Sequence, residues 1–349
     1  MKRRVLFLWL LAAAHLAAQQ EFLYTSNFGG TVSAFSVDNK NGALAVVRGS
    51  PFAAGLFPYG VAVDRKGKFV YVANQGSNNV SAYTIDTNTG ALSAVSGSPF
   101  AAGNSPSGIA VDQAESFLYV ANQGSNSVSA YKINPGTGAL SSVDGSPFSA
   151  GANPHDLSVD PSGRFLYVAD YGGGVSGFTI NLNTGAISAA GGSPFAAGNS
   201  PFGVAVDPAG KFIYVTNHIS GSVSAFTINE DTGALSAVSG LAQVSGAYPE
   251  GVTVDPTGKY VYVSNYGGSV SAFSINANTG ALSAVSGSPF AAVSAPGGLA
   301  VDPTGRFVYI TDGLNLSAYT IDPRTGALSG VFPVGPAGMR PYGVAIAGP

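Results

Sequence analysis

"PEGVTVDPTGKYVYVSNYGGSVSAFSINANTGALSAVSGSPFAAVSAP", residues 249–296, decides the fold. "GVTVD" alternates as a half-buried strand does. "DPTG" is a tight turn, with proline presetting φ and glycine accepting a positive φ. "KYVYVSN" reads as a second strand, "YGGS" as a turn and "VSAFSIN" as a third strand. "ANTG" turns again, "ALSAVSG" is the fourth strand, and "SPFAAVSAP" crosses to the next unit. No segment beyond the N-terminus carries a helical period.

The unit recurs. The tyrosine of its second strand returns at Tyr24, Tyr71, Tyr119, Tyr167, Tyr214, Tyr262 and Tyr309, at spacings of 47 or 48 residues. Seven Val-, Ile- and aromatic-rich units punctuated by glycine predict an all-β, seven-bladed β-propeller with four antiparallel strands per blade. The repeat begins at a second strand, "FLYTSN", and ends at a first strand, "RPYGVAIAGP". Pairing of Tyr342–Ala347 beside Phe22–Asn27 is therefore expected to close the ring and leave no open sheet edge.

Composition sets the limits around this scaffold. Charged residues are 9% and hydrophobic residues 45%, so the surface is polar but sparsely charged. "MKRRVLFLWLLAAAHLAAQQ" has the basic start, short apolar run and small-residue exit of a secretory signal. The expected domains are a signal over 1–18 and one propeller over 19–349. Export to the periplasm or the cell exterior follows, with no membrane span in the mature chain. The absence of cysteine excludes disulfides and thiol chemistry. Without Lys2, Arg3 and Arg4 no basic cluster remains, so nucleic acid is not an expected partner. A monomer is expected.

In a propeller the innermost strand of each blade starts beside the central channel. The residue after its leading proline is Tyr59, Ser107, His155, Phe202, Glu250, Gly297 or Tyr342. The turn after the second strand reaches the same face with Phe28, Gln75, Gln123, Tyr171, His218, Tyr266 and Gly313. These positions vary while the frame around them stays nearly constant, as one asymmetric site on a repeated scaffold requires. Both histidines beyond the signal, His155 and His218, fall on this ring, as does Glu250. Arg340 precedes the ring position of the closing blade. Tyr171, Phe202, Tyr266, Tyr342 and Tyr59 supply aromatic walls suited to the flat faces of a carbohydrate-like ligand. No short ligand spacing links His155, His218 and Glu250, so neither a metal nor another cofactor is expected. The Asp of each "DPxG" reads as a turn residue, and "TGAL" lacks the lysine and helix of a phosphate-cradling loop.

The "YVAN" and "YVTN" strands, the "IDxxTGAL" turn and the seven-fold count resemble the seven-bladed lactonase family, which includes propeller-type 6-phosphogluconolactonases. Surface-layer propellers share the "YVTN" strand. In the family signature, Pro-His opens one blade and Asp-x-Gly follows its second strand; Pro154, His155, Asp170 and Gly172 match it. The next blade departs: Phe202 stands at the family's Arg position, Gly203 at its His and His218 at its Glu. The resemblance implies lactone hydrolysis, and the departures remove a cation and a carboxylate from that chemistry. A rearranged set has His155 as base, Glu250 orienting it and Arg340 as anion partner. The first expectation is therefore a secreted lactonase-like propeller serving as a binding or cell-envelope interaction module, its partner a carbohydrate-like molecule or an envelope protein. The alternative is a divergent hydrolase acting on a sugar lactone.

Overall fold

A computed structural model describes residues 20–348 apart from 240–241, 244–245, 293–294, 314 and 337. The expected signal over 1–18 lies outside the described residues. Seven antiparallel sheets form the blades of a propeller, each running from an inner strand at the axis to an outer strand, which is short in six of them and nine residues long at Leu328–Pro336. Blades are numbered here from the inner strand Pro58–Val63. Blades two to six begin at Pro106, Pro154, Pro201, Pro249 and Pro296. The closing blade joins the C-terminal strand Pro341–Ala347 to the N-terminal Phe22–Asn27, with Phe22 opposite Ala347 and Asn27 opposite Pro341. Among the described residues no helix is long and apolar enough to cross a membrane.

The blade quoted above shows why the chain folds this way. Tyr260–Asn265 is buried along its whole length, sandwiched between its own sheet neighbours and the adjacent blades. Asp255 opens the turn before it and accepts from the backbone N–H of Lys259 and Tyr260, both at 2.7 Å. The third strand, Ser269–Ile275, follows in register. The outer edge differs from the expected single fourth strand. Leu282–Ala284 pairs with one half of the third strand, and Phe290–Ala291 returns to pair with the other half. Between them Gly287 takes a positive φ, and the Ser288 hydroxyl accepts from the Ala272 N–H that the broken ladder leaves free.

Blades are joined by the residues that mark the repeat. Each of the seven strand tyrosines is fully buried. Its hydroxyl donates to the turn glycine carbonyl of the next blade, as from Tyr24 to Gly90 at 3.0 Å and from Tyr167 to Gly233 at 2.9 Å. Tyr309 reaches Gly42 at 3.1 Å and closes the circle. The turn glycine is required twice over. Gly90 has φ of 75°, and a Cβ there would lie 2.3 Å from the Phe22 ring. "TGAL" is thus an inter-blade joint. Full burial of each such aromatic is worth about 1.5–3 kcal/mol, so the interfaces carry much of the stability.

Near the axis every inner strand slips register by one residue just after its proline. Such a bulge re-aims a side chain, here the ring residue. The residue before each proline has a positive φ: Phe57, Ser105, Asn153, Ser200, Tyr248, Ala295 and Arg340. In six blades its carbonyl accepts from the backbone N–H of the turn residue after the second strand, as Phe57 does from Gln75 at 2.9 Å. These pairs hold the loops of the mouth in place.

Candidate active site at the mouth of the channel

The ring residues form two connected spaces. An axial cavity of about 150 Å³ is lined by Tyr59, His155, Asp156, Phe202, Glu250 and Tyr342 above a sleeve of Val and Leu side chains. A wider cleft of about 500 Å³ opens beside it between Phe28, Tyr266, Asp312, Asn315 and Arg340. Glu250, Gly297 and Tyr342 belong to both. The structure therefore separates two residues that sequence placed in one set: His155 lines the axial cavity, Arg340 the outer cleft, and Glu250 stands between them.

His155 is buried, and both of its ring nitrogens are engaged. Nε2 lies 2.8 Å from the Tyr59 hydroxyl and Nδ1 3.2 Å from the Phe202 carbonyl oxygen. Its ring packs on Phe202 with centroids 3.7 Å apart. Burial pulls its pKa down to about 4, against a smaller opposing effect of the Phe202 carbonyl. His218 continues the stack outward, 5.2 Å from Phe202 and 5.2 Å from Tyr248. Tyr171 flanks it at 6.2 Å. Burial also lowers the His218 pKa.

On the opposite side of the axis the Tyr342 hydroxyl donates to Glu250 Oε2 at 3.1 Å. Burial raises the Glu250 pKa to about 7, with the Tyr342 bond opposing the rise. A carboxyl that titrates near neutrality in a cleft is suited to proton transfer. The ion pair among the described residues joins Lys66 to Glu115. Arg340 thus lines the cleft with no ion-pair partner among the described residues. No group of three or more metal-ligating side chains occurs among the described residues.

Asp156 was not singled out from sequence, although a signal existed. Its position, two after the leading proline, is glycine in the other six blades: Gly60, Gly108, Gly203, Gly251, Gly298 and Gly343. Inner strands crowd together there, and a Cβ on Gly60 would lie 2.3 Å from the Ser107 carbonyl oxygen. Asp156 instead sends a carboxylate into the axial cavity, where it accepts from the Val204 N–H at 3.1 Å. Burial raises its pKa to about 6. Ser107, a ring position by sequence, turns into the blade interface and donates to the His155 carbonyl oxygen at 2.7 Å. Asp312 and Asn315 are further cleft residues that the sequence did not single out, and Phe28, a mouth-face position by sequence, lines the cleft with them.

Comparison with known proteins agrees with this architecture. The family model of the seven-bladed β-propeller lactonases matches residues 10–103, 93–194 and 151–338. A 6-phosphogluconolactonase of Formosa agariphila is 39% identical over 71 residues, a match spanning 20% of this chain and 20% of that relative. A candidate 6-phosphogluconolactonase from Bacteroides fragilis superposes with a TM-score of 0.81 at 20% identity, covering 94% of this chain and 98% of its own. The periplasmic gluconolactonase of Pseudomonas aeruginosa does so with a TM-score of 0.79 at 19% identity, covering 95% and 99%. At these identities the structural likeness establishes the fold, while the family match spans nearly the whole propeller. The chain belongs to the lactonase family of seven-bladed β-propellers.

Proposed function

We propose that this propeller hydrolyses a small neutral sugar lactone in the outer cleft, with Glu250 as general base and Arg340 as the partner of the developing oxyanion. The observation that carries the reading is Glu250 itself: a carboxyl whose pKa burial raises to about 7, hydrogen-bonded to Tyr342 and lining a cleft that Arg340 also lines. In this mechanism Glu250 takes a proton from water as the water oxygen bonds to the lactone carbonyl carbon. Negative charge then gathers on the carbonyl oxygen, where Arg340 offsets it. The ring C–O bond breaks, and the leaving oxygen takes the proton back from Glu250. Water has been added across the ester, and the product is a hydroxy acid.

This reading moves the base from His155 to Glu250. An imidazole with both nitrogens engaged and a pKa near 4 is a poor proton acceptor at neutral pH. Tyr266 and Phe28 supply apolar faces for a sugar ring, and Asn315 a hydrogen-bonding amide. One guanidinium beside the carboxyls of Glu250 and Asp312 suits a neutral lactone better than a phosphorylated one. The basic, apolar N-terminus supports export, which fits a substrate met outside the cytoplasm.

A second reading, a carbohydrate- or envelope-protein-binding module, has its own observation. Among the exposed large apolar residues, Leu56, Phe57, Ile219, Tyr248, Tyr266 and Met339 sit in loops of the mouth face. Such concentration on one face suits a contact surface.

One experiment separates the two. Proton release from neutral and phosphorylated sugar lactones is followed for the wild type, Glu250→Gln and His155→Ala. Hydrolysis predicts kcat/KM rising through about pH 7 as Glu250 ionises, and a loss of about 100-fold or more in Glu250→Gln. A folded protein without turnover above the buffer rate, or turnover indifferent to Glu250→Gln, rejects the hydrolase and directs attention to the mouth face as a binding surface.

A further inference from the structure

Tyr59, His155, Tyr342 and Glu250 come from four different blades and meet over the axis as one connected chain. His155 Nε2 contacts the Tyr59 hydroxyl at 2.8 Å, and the Tyr342 hydroxyl contacts Glu250 Oε2 at 3.1 Å. The two phenol rings lie 4.0 Å apart between centroids, and their hydroxyls touch closely enough to influence each other's ionisation. We propose that this chain is a hydrogen-bond relay in which His155, through Tyr59, sets how fully the Tyr342 hydroxyl is committed to Glu250. The proposal rests on Glu250 as the base and makes His155, Tyr59 and Tyr342 its positioning residues.

The direction of each bond follows from proton counting. The Phe202 carbonyl only accepts, so the single N–H of a neutral His155 sits on Nδ1 and points at it. Nε2 is then a bare acceptor, and the Tyr59 proton is committed to it. The Tyr59 oxygen is left to accept from Tyr342. Tyr342 has one proton and two acceptors, Tyr59 and Glu250, so donation to the carboxylate is shared. Burial keeps His155 neutral down to about pH 4, which fixes the first bond across the working range.

Four other charged or titratable groups lie near the chain. They are Asp156 on the third blade, His218 on the fourth, Asp312 on the sixth and Arg340 at the closing blade. None of them contacts the Tyr59 or Tyr342 hydroxyl through a hydrogen bond among the described residues. The relay therefore makes a prediction that simple loss of packing does not. Removing the imidazole frees the Tyr59 proton to turn to Tyr342, whose own proton is then left for Glu250 alone. The Glu250 anion gains stabilisation. Removing the Tyr342 hydroxyl takes its donor away. The two changes shift Glu250 in opposite directions.

The chain has four glutamates, Glu21, Glu115, Glu230 and Glu250. Labelling their side-chain carboxyl carbons with ¹³C gives few resonances, and Glu250→Gln identifies the one of interest. Titration of the propeller is compared with His155→Leu, Tyr59→Phe and Tyr342→Phe. His155→Leu and Tyr59→Phe are expected to lower the Glu250 midpoint by about 0.5–1 pH unit, and Tyr342→Phe to raise it by a similar amount. Tyr59→Phe tests the same step should His155→Leu disturb folding, because it removes the competing acceptor directly. Shifts of one sign in all variants, or no shift, overturn the relay. Because the readout is a resonance, failure of lactone turnover would reject the hydrolase without touching this result.

Discussion

Asp170 stands where five blades carry asparagine: Asn27, Asn74, Asn122, Asn217 and Asn265. In those blades the amide nitrogen donates to a serine on the third strand, as from Asn74 to Ser81 at 2.9 Å. Asp170 reverses the bond: Ser176 donates to its Oδ2 at 2.6 Å, and its buried Oδ1 finds no well-aligned donor. Burial raises its pKa to about 6. A carboxyl with a folded pKa above its unfolded value makes the native state bind more protons, so its ionisation costs stability as pH rises from about 4 to 6. Asp170→Asn restores the amide arrangement of the sibling blades. It should stabilise the protein by about 1–2 kcal/mol at pH 7.5, with the gain vanishing below about pH 4. Urea unfolding at the two pH values checks this; an equal effect at both would reject the ionisation argument. At this scale the ring positions of His155, Glu250 and Tyr342 were legible, because a fixed frame counts them out. The pairings Tyr59–His155 and Tyr342–Glu250 were not. Their partners lie 96 and 92 residues apart and meet only through the curvature of the closed ring.

At the scale of the element, strands and turns were legible from alternation and from "DPxG", whose aspartates cap their own turns as expected. The halved outer strand was not, since "SPF" carries no alternation to show that it returns to the sheet. Nor were the left-handed residues before each inner-strand proline, because only Asn153 is a type that favours that conformation. This suggests a test. Ser105 has φ of 51°, and its hydrogen bonds among the described residues run through its backbone, from its N–H to Asn78 Oδ1 at 2.8 Å and to its carbonyl from Gln123 at 3.0 Å. Ser105→Gly removes the Cβ strain, about 1–2 kcal/mol, against a smaller entropic cost of glycine. A net gain of about 0.5–1 kcal/mol is expected in denaturant unfolding. Asn153→Gly, at φ of 54°, should gain less because asparagine tolerates the region. Equal gains would mean that steric strain is not what the loops store.

At the scale of the molecule the seven tyrosine-to-glycine bonds treat the covalent junctions and the closure alike. Tyr119 donates to Gly185 at 3.0 Å across a junction the backbone spans, and Tyr309 to Gly42 at 3.1 Å across the junction made by the two ends of the chain. The closing junction has an apolar cluster of its own, built from Leu23, Phe35, Phe307, Tyr309 and Leu316. Nothing in its local chemistry makes it weaker, and the described sheets leave no inner strand unpaired. The ring should then unfold as one unit, in which every junction breaks in the same transition. Deleting either hydroxyl leaves a buried carbonyl without its donor and should cost about 1–3 kcal/mol. Tyr309→Phe and Tyr119→Phe are therefore expected to lower the denaturant midpoint by similar amounts with unchanged slope, followed by circular dichroism because the chain's one tryptophan, Trp9, lies in the expected signal. If the ends instead part before the blades melt, Tyr309→Phe will leave the main transition in place and advance a separate early one. That outcome would show that the propeller is held by its blades and only latched by its termini.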